Sequence, residues 1–368
     1  MCNFRSCAFC VVLITRLLLP GLAFSQKDTV RIGKNKEVLV FPVIAKSIET
    51  GWSFGAASAV TFHISKADTA TRTSNMQGIA LYSLKKQFIT AINGAEYFRK
   101  ERFVLNEQLS YSSFPDKFWG LGKYAPDSAV EPYNFKQYYI YLHLLRKLSK
   151  GLYLGTLFEL QKVFDVGYKP GGLFDQENIA GRYGYLVAGL GLSFTYDNRN
   201  NAFAPDKGNF AQIYFDHFDK YLGSQYVYTN VVVDLRRFIK IYHKQVLALQ
   251  AYGFADFGDE IPLRSLASLG GSGSMRGFYQ GRYRDRDMLV FQGEYRIPVR
   301  NRFGVVAFAN TGDVGHSLSD FSIPDFKFSF GGGLRYAINK SERLNLRLDY
   351  GTSFTGNSGL YFQLGEAF

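Results

Sequence analysis

Leu344-Asn345-Leu346-Arg347-Leu348-Asp349-Tyr350 alternates strictly between apolar and polar side chains. Successive side chains of a β-strand point to opposite faces, so this strand would be apolar on one face and charged on the other. Such a strand fits a barrel wall that separates lipid from a polar interior. The stretch therefore predicts a membrane-spanning β-strand.

The same period of two recurs along the whole chain, for example in residues 52–65 and 227–235. About sixteen such segments have close to the ~9–11 residues that a tilted membrane strand needs. They are 38–48, 52–65, 74–85, 87–98, 102–113, 133–149, 151–164, 183–197, 209–219, 225–239, 244–257, 287–299, 303–313, 326–338, 342–353 and 359–368. The sequence thus predicts an all-β fold, a transmembrane antiparallel β-barrel over residues 38–368.

The connections between these segments alternate in length, as barrel turns and loops do. Short polar turns at 99–101, 149–150, 300–302 and 339–341 are expected on the periplasmic side. Long connections rich in Gly and Pro, at 115–132, 165–182, 258–286 and 315–325, are expected outside. Two expected periplasmic connections, near 66–75 and 198–208, are longer than this rule predicts.

The composition agrees with a barrel and argues against a nucleic-acid-binding protein. Aromatic residues make up 17% of the chain, which suits the aromatic girdles of a membrane barrel. The net charge of +12 comes from scattered basic residues without a basic helix or zinc-ligand spacing, so no nucleic acid partner is expected. Membrane lipids, including lipopolysaccharide, are the expected contacts.

Residues 1–25 have the pattern of a cleaved signal peptide. Arg5 precedes an apolar run that ends at Ala23-Phe24-Ser25, a small-x-small cleavage pattern. All three cysteines, Cys2, Cys7 and Cys10, lie in this segment, so the exported chain would contain no disulfide. Residues 26–37 are expected to be a short periplasmic segment, and the location to be the bacterial outer membrane.

Three motifs follow one another in the last third of the chain. The longest connection contains Gly270-Gly271-Ser272-Gly273-Ser274-Met275-Arg276-Gly277-Phe278. The next strand contains Gln292-Gly293-Glu294-Tyr295-Arg296, and the strand after it contains Phe308-Ala309-Asn310-Thr311-Gly312. By alternation Glu294 and Asn310 lie on the polar faces of their strands, where the guanidinium of Arg276 could reach both. A flexible outer loop is the alternative interpretation.

Together these motifs resemble the BamA/TamA outer-membrane family, also called the bacterial surface antigen family. The resemblance implies a re-entrant sixth extracellular loop, in which Arg276, Gly277 and Phe278 fold into the lumen. It also implies that Arg276 meets acidic residues on strands twelve and thirteen, at Glu294 and within Phe308-x-Asn310-x-Gly312. Met275 stands where the family has valine, and Asn310 stands where it has aspartate, which removes one expected charge partner. The turn from Asp197 to Gly208 resembles a family turn, which would explain its length.

The C-terminal strand carries Phe362, Leu364 and Phe368 on one face. A terminal Phe after an alternating strand resembles the signal by which outer-membrane proteins are recognised during assembly. These residues and the first strand are expected to form the seam of the barrel. Glu366 interrupts the apolar row, and its side chain is expected to reach water at the rim.

The resemblance implies a role in inserting or translocating protein or lipid at the outer membrane. Family members that assemble other proteins carry periplasmic POTRA domains, and residues 26–37 are too few for one. A separate periplasmic partner that supplies this function, or a homo-oligomer, would then be required. The alternative from the residues alone is a passive pore, whose basic charge would favour anions, or a structural outer-membrane barrel.

No enzyme, cofactor or metal is expected. A barrel hydrolase needs Ser, His and a polar orienting group together on one face. The five histidines are scattered and have no metal-ligand spacing; they are His63, His143, His217, His243 and His316. Asp285 and Asp287 flank Arg286 in the long connection, where solvated loop charges are the simpler interpretation.

Overall fold

The computed structural model describes residues 36–64 and 71–368, with side chains from residue 38 onward. Sixteen strands form one antiparallel sheet in which each strand pairs with the next, and the sheet curves until the first and last strands lie side by side. The predicted barrel is confirmed. The expected signal peptide, 1–25, and most of the segment 26–37 lie outside the described residues.

The barrel strands are numbered β1 to β16 in chain order. They are β1 (Lys36–Ser47), β2 (Gly51–Phe62), β3 (Ser74–Ser83), β4 (Phe88–Tyr97), β5 (Phe103–Phe118), β6 (Glu131–Ser149), β7 (Leu152–Gly167), β8 (Tyr185–Asp197), β9 (Gly208–Phe218), β10 (Tyr228–Lys240), β11 (Val246–Phe257), β12 (Asp287–Arg300), β13 (Phe303–Gly315), β14 (Lys327–Asn339), β15 (Leu344–Ser353) and β16 (Ser358–Leu364). One short helix, α1 (Leu173–Gln176), lies between β7 and β8. Single 3₁₀ turns occupy Arg99–Glu101, Lys220–Leu222, Tyr242–Lys244, Leu318–Asp320 and Ile323–Asp325.

The alternation seen in the sequence divides each strand between lipid and lumen. On β8, Leu192, Phe194 and Tyr196 are exposed, whereas Ser193 and Thr195 between them are buried. Apolar side chains outside and polar side chains inside reverse the arrangement of a water-soluble barrel and match a membrane barrel. Within 36–64 and 71–368, no helix is long and apolar enough to cross a membrane.

The wall is taller around β5 to β7 than the sequence predicted. β5 was expected to end near residue 113, yet its ladder with β6 continues to Phe118 opposite Glu131. The added rungs are stabilised by Tyr133, whose hydroxyl donates to Asp116 at 2.9 Å, and by packing of Phe118 and Tyr133 against Phe174 of α1. The two prolines at 115 and 132 suggested a loop, but they lie near strand ends, where proline is tolerated.

The connection between β11 and β12 is ordered by its own hairpin. Ala267–Leu269 pairs with Tyr283–Asp285, and the residues between them form the tip. Leu269, Met275 and Phe278 pack together with Met288 and Val290 of β12. The connection is therefore held to the wall by an apolar cluster.

The C-terminus differs from the expected seam strand. β16 ends at Leu364, and Gly365 has a left-handed φ of +89° that turns the last residues away from the strand. Phe368 is buried against Phe238 of β10 and Ala248 of β11, so it does not continue the lipid-facing row. Glu366, expected to reach water, has a buried side chain that pairs with Arg335 at 2.7 Å. The glycine allowed this turn, and burial of the terminal ring favours it.

Candidate functional site

Arg276 lies at the tip of the long connection with a fully buried side chain. The backbone of the next residue, Gly277, has a φ of +112°, and a Cβ there would lie 3.0 Å from the backbone of Thr352. Gly351 of β15 also has no side chain, and a Cβ at that position would lie 2.7 Å from the carbonyl carbon of Arg276. Two glycines thus allow the connection and β15 to approach backbone to backbone.

The guanidinium of Arg276 contacts three side chains of the wall. Its Nη1 lies 2.6 Å from Glu294 Oε1 on β12 and donates to Asp349 Oδ2 on β15, also at 2.6 Å. Its plane lies over the ring of Phe308 on β13, 3.6 Å from the centroid. Arginine suits this position because its planar cation stacks on an aromatic ring while it donates to carboxylates.

Arg276 belongs to a larger buried cluster of charges on β12, β14, β15 and the C-terminal tail. It contains four arginines and three acids, namely Arg276, Arg296, Arg335, Arg347, Glu294, Asp349 and Glu366. Arg335 pairs with Asp349 at 2.5 Å, and Arg296 pairs with Glu294 at 2.9 Å. With one more cation than anions, the cluster leaves several guanidinium nitrogens without a hydrogen-bond acceptor, including Nε and Nη2 of Arg276.

Asn310 lies elsewhere than expected. Its Nδ2 donates to Ser329 Oγ on β14 at 3.1 Å, and its Oδ1 is buried without a donor. The second carboxylate beside Arg276 is instead Asp349. An amide is a poor partner for a cation when a carboxylate lies within reach, so the arginine pairs with β15 rather than with β13 at this position.

The remaining motif residues surround this contact. Phe278 packs in the apolar cluster. The backbone N–H of Gly277 donates a hydrogen bond to the hydroxyl of Tyr361 on β16 at 3.0 Å. A Cβ at Gly312 would lie 2.7 Å from the carbonyl oxygen of Leu289, so this position has no room for a side chain. Met275 is fully buried in the same cluster, where an apolar side chain fits.

Asp349→Asn is expected to lower the stability of the connection by about 3 to 5 kcal/mol, because it removes one partner of a buried ion pair. Asn310→Asp in the Asp349→Asn background should restore part of this loss, since it returns a carboxylate to the cluster. Thermal unfolding in detergent, with protease digestion of the connection, measures both variants.

The matched control is Asp320→Asn, which removes an exposed acid from an outer turn and should change neither readout. If Asp349→Asn behaves like Asp320→Asn, the carboxylate of Asp349 does not hold the connection. If only the Asn310→Asp rescue fails, Arg276 cannot reach residue 310.

The junction between β1 and β16 is the second distinctive feature. Fifteen adjacent strand pairs are joined by ladders, but in the described residues no ladder joins β1 to β16. The two strands nevertheless lie next to each other, and a Cβ at Gly359 would lie 2.5 Å from Cγ1 of Ile48. Pro42 in β1 lacks a backbone donor, as edge strands tolerate. Phe362 and Leu364 lie on β16 at this junction, opposite Leu348 and Leu346 of β15.

A cavity of about 400 Å³ lies against the junction. Lys46 and Ser47 line it from β1, Phe362 and Gln363 from β16, and Gln280 from the long connection. The polar lumen therefore extends to the place where the sheet is not closed by hydrogen bonds.

Three segments reach across the periplasmic end of the barrel. Arg72, in the β2–β3 connection, donates to Asp197 at 2.6 Å and pairs with Glu101 at 3.0 Å. In the β8–β9 turn, Asn201 donates to the carbonyl oxygen of Glu342 at 3.2 Å. The tail places Phe368 beside Phe238, as described above. These contacts give a physical reason for the two long periplasmic connections, because each spans several strand ends.

The opposite wall of the lumen is acidic. Asp216 of β9 and Asp256 of β11 are buried on either side of Asn230 of β10, and no ion pair reaches either carboxylate within the described residues. Net charge alone predicts that a pore here favours anions.

The Omp85 superfamily domain matches residues 53–368. The chain belongs to the Omp85 superfamily. The resemblance to BamA and TamA barrels noted in the sequence is thereby confirmed, and the chain is an outer-membrane β-barrel of this family. No curated protein sequence matches it.

Solved structures show the same Omp85 fold at low sequence identity. The chain is similar to BamA from Haemophilus ducreyi lacking POTRA domains 1-3, with a TM-score of 0.55, 16% identity and coverage of 90% of this chain and 70% of that one. It is similar to CdiB from Acinetobacter baumannii, with a TM-score of 0.55, 11% identity and coverage of 90% and 60%. It is also similar to CdiB from Escherichia coli, with a TM-score of 0.57, 11% identity and coverage of 89% of this chain and 62% of that one. The chain thus spans less than two thirds of either CdiB chain.

One serine–histidine pair in this Omp85 barrel was not visible in the sequence. His143 Nε2 and Ser193 Oγ lie 2.6 Å apart, both buried, on β6 and β8. Gly155 of β7 makes room between them, since a Cβ there would lie 2.3 Å from Ser193 Oγ. The pair joins β6 to β8 across β7. In the described residues, no group of three His, Cys, Asp or Glu side chains could hold a metal ion.

Proposed function

We propose that this Omp85 barrel inserts or translocates protein or lipid at the outer membrane, through the junction of β1 and β16. The observation that carries the proposal is that no ladder joins these strands within the part of the chain that the structure describes. An unpaired strand edge is costly in lipid, where water cannot satisfy the backbone groups. Such an edge can pair with an incoming strand, so it can act as a template.

The shape of the wall supports the same junction. β16 has seven residues, fewer than the ~9–11 that a tilted membrane strand needs, whereas β6 has 19. A short hydrophobic span thins the bilayer beside it, at a modest cost for each ångström of mismatch. Local thinning lowers the barrier for a polar segment or a lipid headgroup that crosses there.

We further propose that the long connection folds into the barrel as a re-entrant loop and that Arg276 holds it there. Its contacts with Glu294 and Asp349 support this role, because both acids lie on inward faces of their strands. A filled lumen would prevent the barrel from acting as an open pore. Substrate would then pass at the junction rather than along the axis.

This activity would require export, contact with the membrane and a source of substrate. The chain would reach the outer membrane through a cleaved signal peptide and contact membrane lipids, including lipopolysaccharide. A periplasmic partner would deliver substrate, as POTRA domains do in the resembling family, or a homo-oligomer would supply the same function. We propose a non-enzymatic role without cofactor or metal.

Deletion of the gene in its host tests the proposed function. The expected result is loss of a subset of outer-membrane proteins or loss of lipid asymmetry, restored by the wild-type chain. Quantitative proteomics of purified outer membranes distinguishes protein from lipid as substrate, together with labelling of surface-exposed phospholipid. An unchanged proteome and unchanged lipid asymmetry would contradict the proposal.

A further inference from the structure

The exposed charges of the barrel are divided unequally between its two ends. At the periplasmic end of the described residues, eleven exposed side chains are basic, and none of the Asp or Glu side chains of the turns that carry them is exposed. The basic residues are Arg99, Lys100, Arg102, Arg146, Lys150, Lys207, Arg237, Lys240, Lys244, Arg300 and Lys340. We call this set the basic rim.

The outer end has a different balance. Its exposed acids are Asp127, Asp165, Glu177, Asp259, Glu260 and Asp320. Its exposed lysines are Lys85, Lys86, Lys117, Lys169 and Lys220. The two signs nearly cancel there, so the positive charge of the surface is concentrated at the periplasmic end.

The basic rim lies at the level of the lipid headgroups. Large apolar side chains are exposed beside it, including Phe98, Leu148, Tyr242 and Phe303. Aromatic side chains at this position form the girdle where a barrel meets the membrane interface. Lys and Arg next to such a girdle can extend their charged ends to the phosphate layer.

One sector of the rim also has a groove. It has a volume of about 280 Å³ between the turns that follow β10, β12 and β14. Pro298, Phe303 and Val305 supply apolar lining. Basic side chains, including Lys244 and Lys340, outnumber the two acids of the lining, Asp206 and Glu366. An apolar floor with a basic edge matches a molecule that has both acyl chain and phosphate.

We propose that the basic rim binds anionic phospholipids of the periplasmic leaflet. The rim residues lie in or beside each of the six periplasmic turns that follow β4, β6, β8, β10, β12 and β14. They therefore follow the circumference that annular lipid surrounds. An acidic protein that docks on the rim would contact one sector of it and would need basic charge only there. Each basic side chain near an anionic surface adds to the attraction, which weakens within a Debye length as salt rises. This inference concerns the rim and does not depend on the proposed function of the junction.

The test compares two variants with the same change of charge. The rim variant is Arg237→Gln, Lys244→Gln, Arg300→Gln and Lys340→Gln. The control variant is Lys86→Gln, Lys117→Gln, Lys169→Gln and Lys220→Gln at the outer end. Each purified barrel is placed in nanodiscs, and spin-labelled phosphatidylglycerol and phosphatidylcholine report relative association. A heat-dependent gel shift confirms that each variant is folded.

The wild type and the control variant should prefer phosphatidylglycerol severalfold, and added salt should reduce this preference. The rim variant should bind the two lipids almost equally. A preference that survives in the rim variant, or that falls equally in both variants, would overturn the proposal. Equal binding of both lipids by the wild type would also overturn it, and would favour an acidic periplasmic protein as the occupant.

Discussion

An Arg276→Ala variant is expected to release the connection between β11 and β12. The change removes one charge-assisted hydrogen bond, one ion pair and a stacked aromatic contact, all fully buried. At roughly 1.5–3 kcal/mol for each of the two polar contacts, the connection loses about 3 to 6 kcal/mol. Since 1.4 kcal/mol is a factor of ten, the population of the released connection rises at least about 100-fold.

Glu294 and Asp349 keep other partners in this variant, so the barrel itself should remain folded. Arg296 still pairs with Glu294, and Arg335 still pairs with Asp349. The effect is therefore local, and it should appear as faster proteolysis within 258–286 and as larger conductance in planar bilayers. Arg276→Lys should rescue only partly, because an ammonium cannot stack and bridge as a guanidinium does.

Arg286→Ala is the matched control in the same connection. The guanidinium of Arg286 donates to the backbone carbonyl oxygens of Gly258 and Asp259, and the side chain is partly exposed. If Arg276→Ala is cleaved no faster than Arg286→Ala, the arginine does not hold the connection. A large anion-selective conductance, equal in the wild type and in Arg276→Ala, would favour the passive pore.

The sequence predicted the barrel well because alternation is a local property. The alternation within each segment identifies it as a strand, so sixteen spans could be counted without knowing any long-range contact. Boundaries failed where long-range packing extended a strand, as at Phe118, whose ring packs against Phe174 of α1. The turn at Gly365 failed for a similar reason, since the burial of Phe368 depends on β10 and β11.

The site was predicted only in part. Alternation placed Glu294 on the inward face, and the family motif indicated Arg276. Asp349 and Arg347 also alternate inward in β15, and they were visible as lumenal charges from the sequence. The pairing of these residues with Arg276 was not visible from the sequence, because β15 lies three strands from β12 around the wall. The path of the connection determines which carboxylate its arginine contacts. Asp349 fills the role that Asn310 leaves open, and spacing along the chain cannot show this.

The resemblance to the BamA/TamA family implied a seam between the first and last strands. The structure shows the features of the junction between β1 and β16. It combines a missing ladder, a seven-residue strand and an adjoining cavity. A covalent link across the junction should therefore abolish activity without disturbing the rest of the barrel. The chain is suited to this experiment because its only cysteines are Cys2, Cys7 and Cys10.

Ile48→Cys with Gly359→Cys provides the link. A Cβ at Gly359 would lie 2.5 Å from Cγ1 of Ile48, so the two positions are close neighbours across the junction. A disulfide needs a Cβ separation of about 3.5–4.5 Å, which a small adjustment of these positions can provide. Gly359→Cys alone controls for crowding of the Tyr361 hydroxyl, which would lie 2.8 Å from the new Cβ. Ala56→Cys with Ala80→Cys is the matched disulfide, because these residues face each other within the β2–β3 ladder.

The decisive measurement is complementation of the deletion strain by the Ile48→Cys, Gly359→Cys chain, with and without a membrane-permeant reductant. The outer-membrane proteome and lipid asymmetry are the readouts. The oxidised junction variant should fail to complement, and reductant should restore it, whereas the Ala56→Cys, Ala80→Cys chain and Gly359→Cys alone should complement throughout. Full complementation by the oxidised junction variant, with the disulfide verified, would contradict the proposal that substrate passes between β1 and β16.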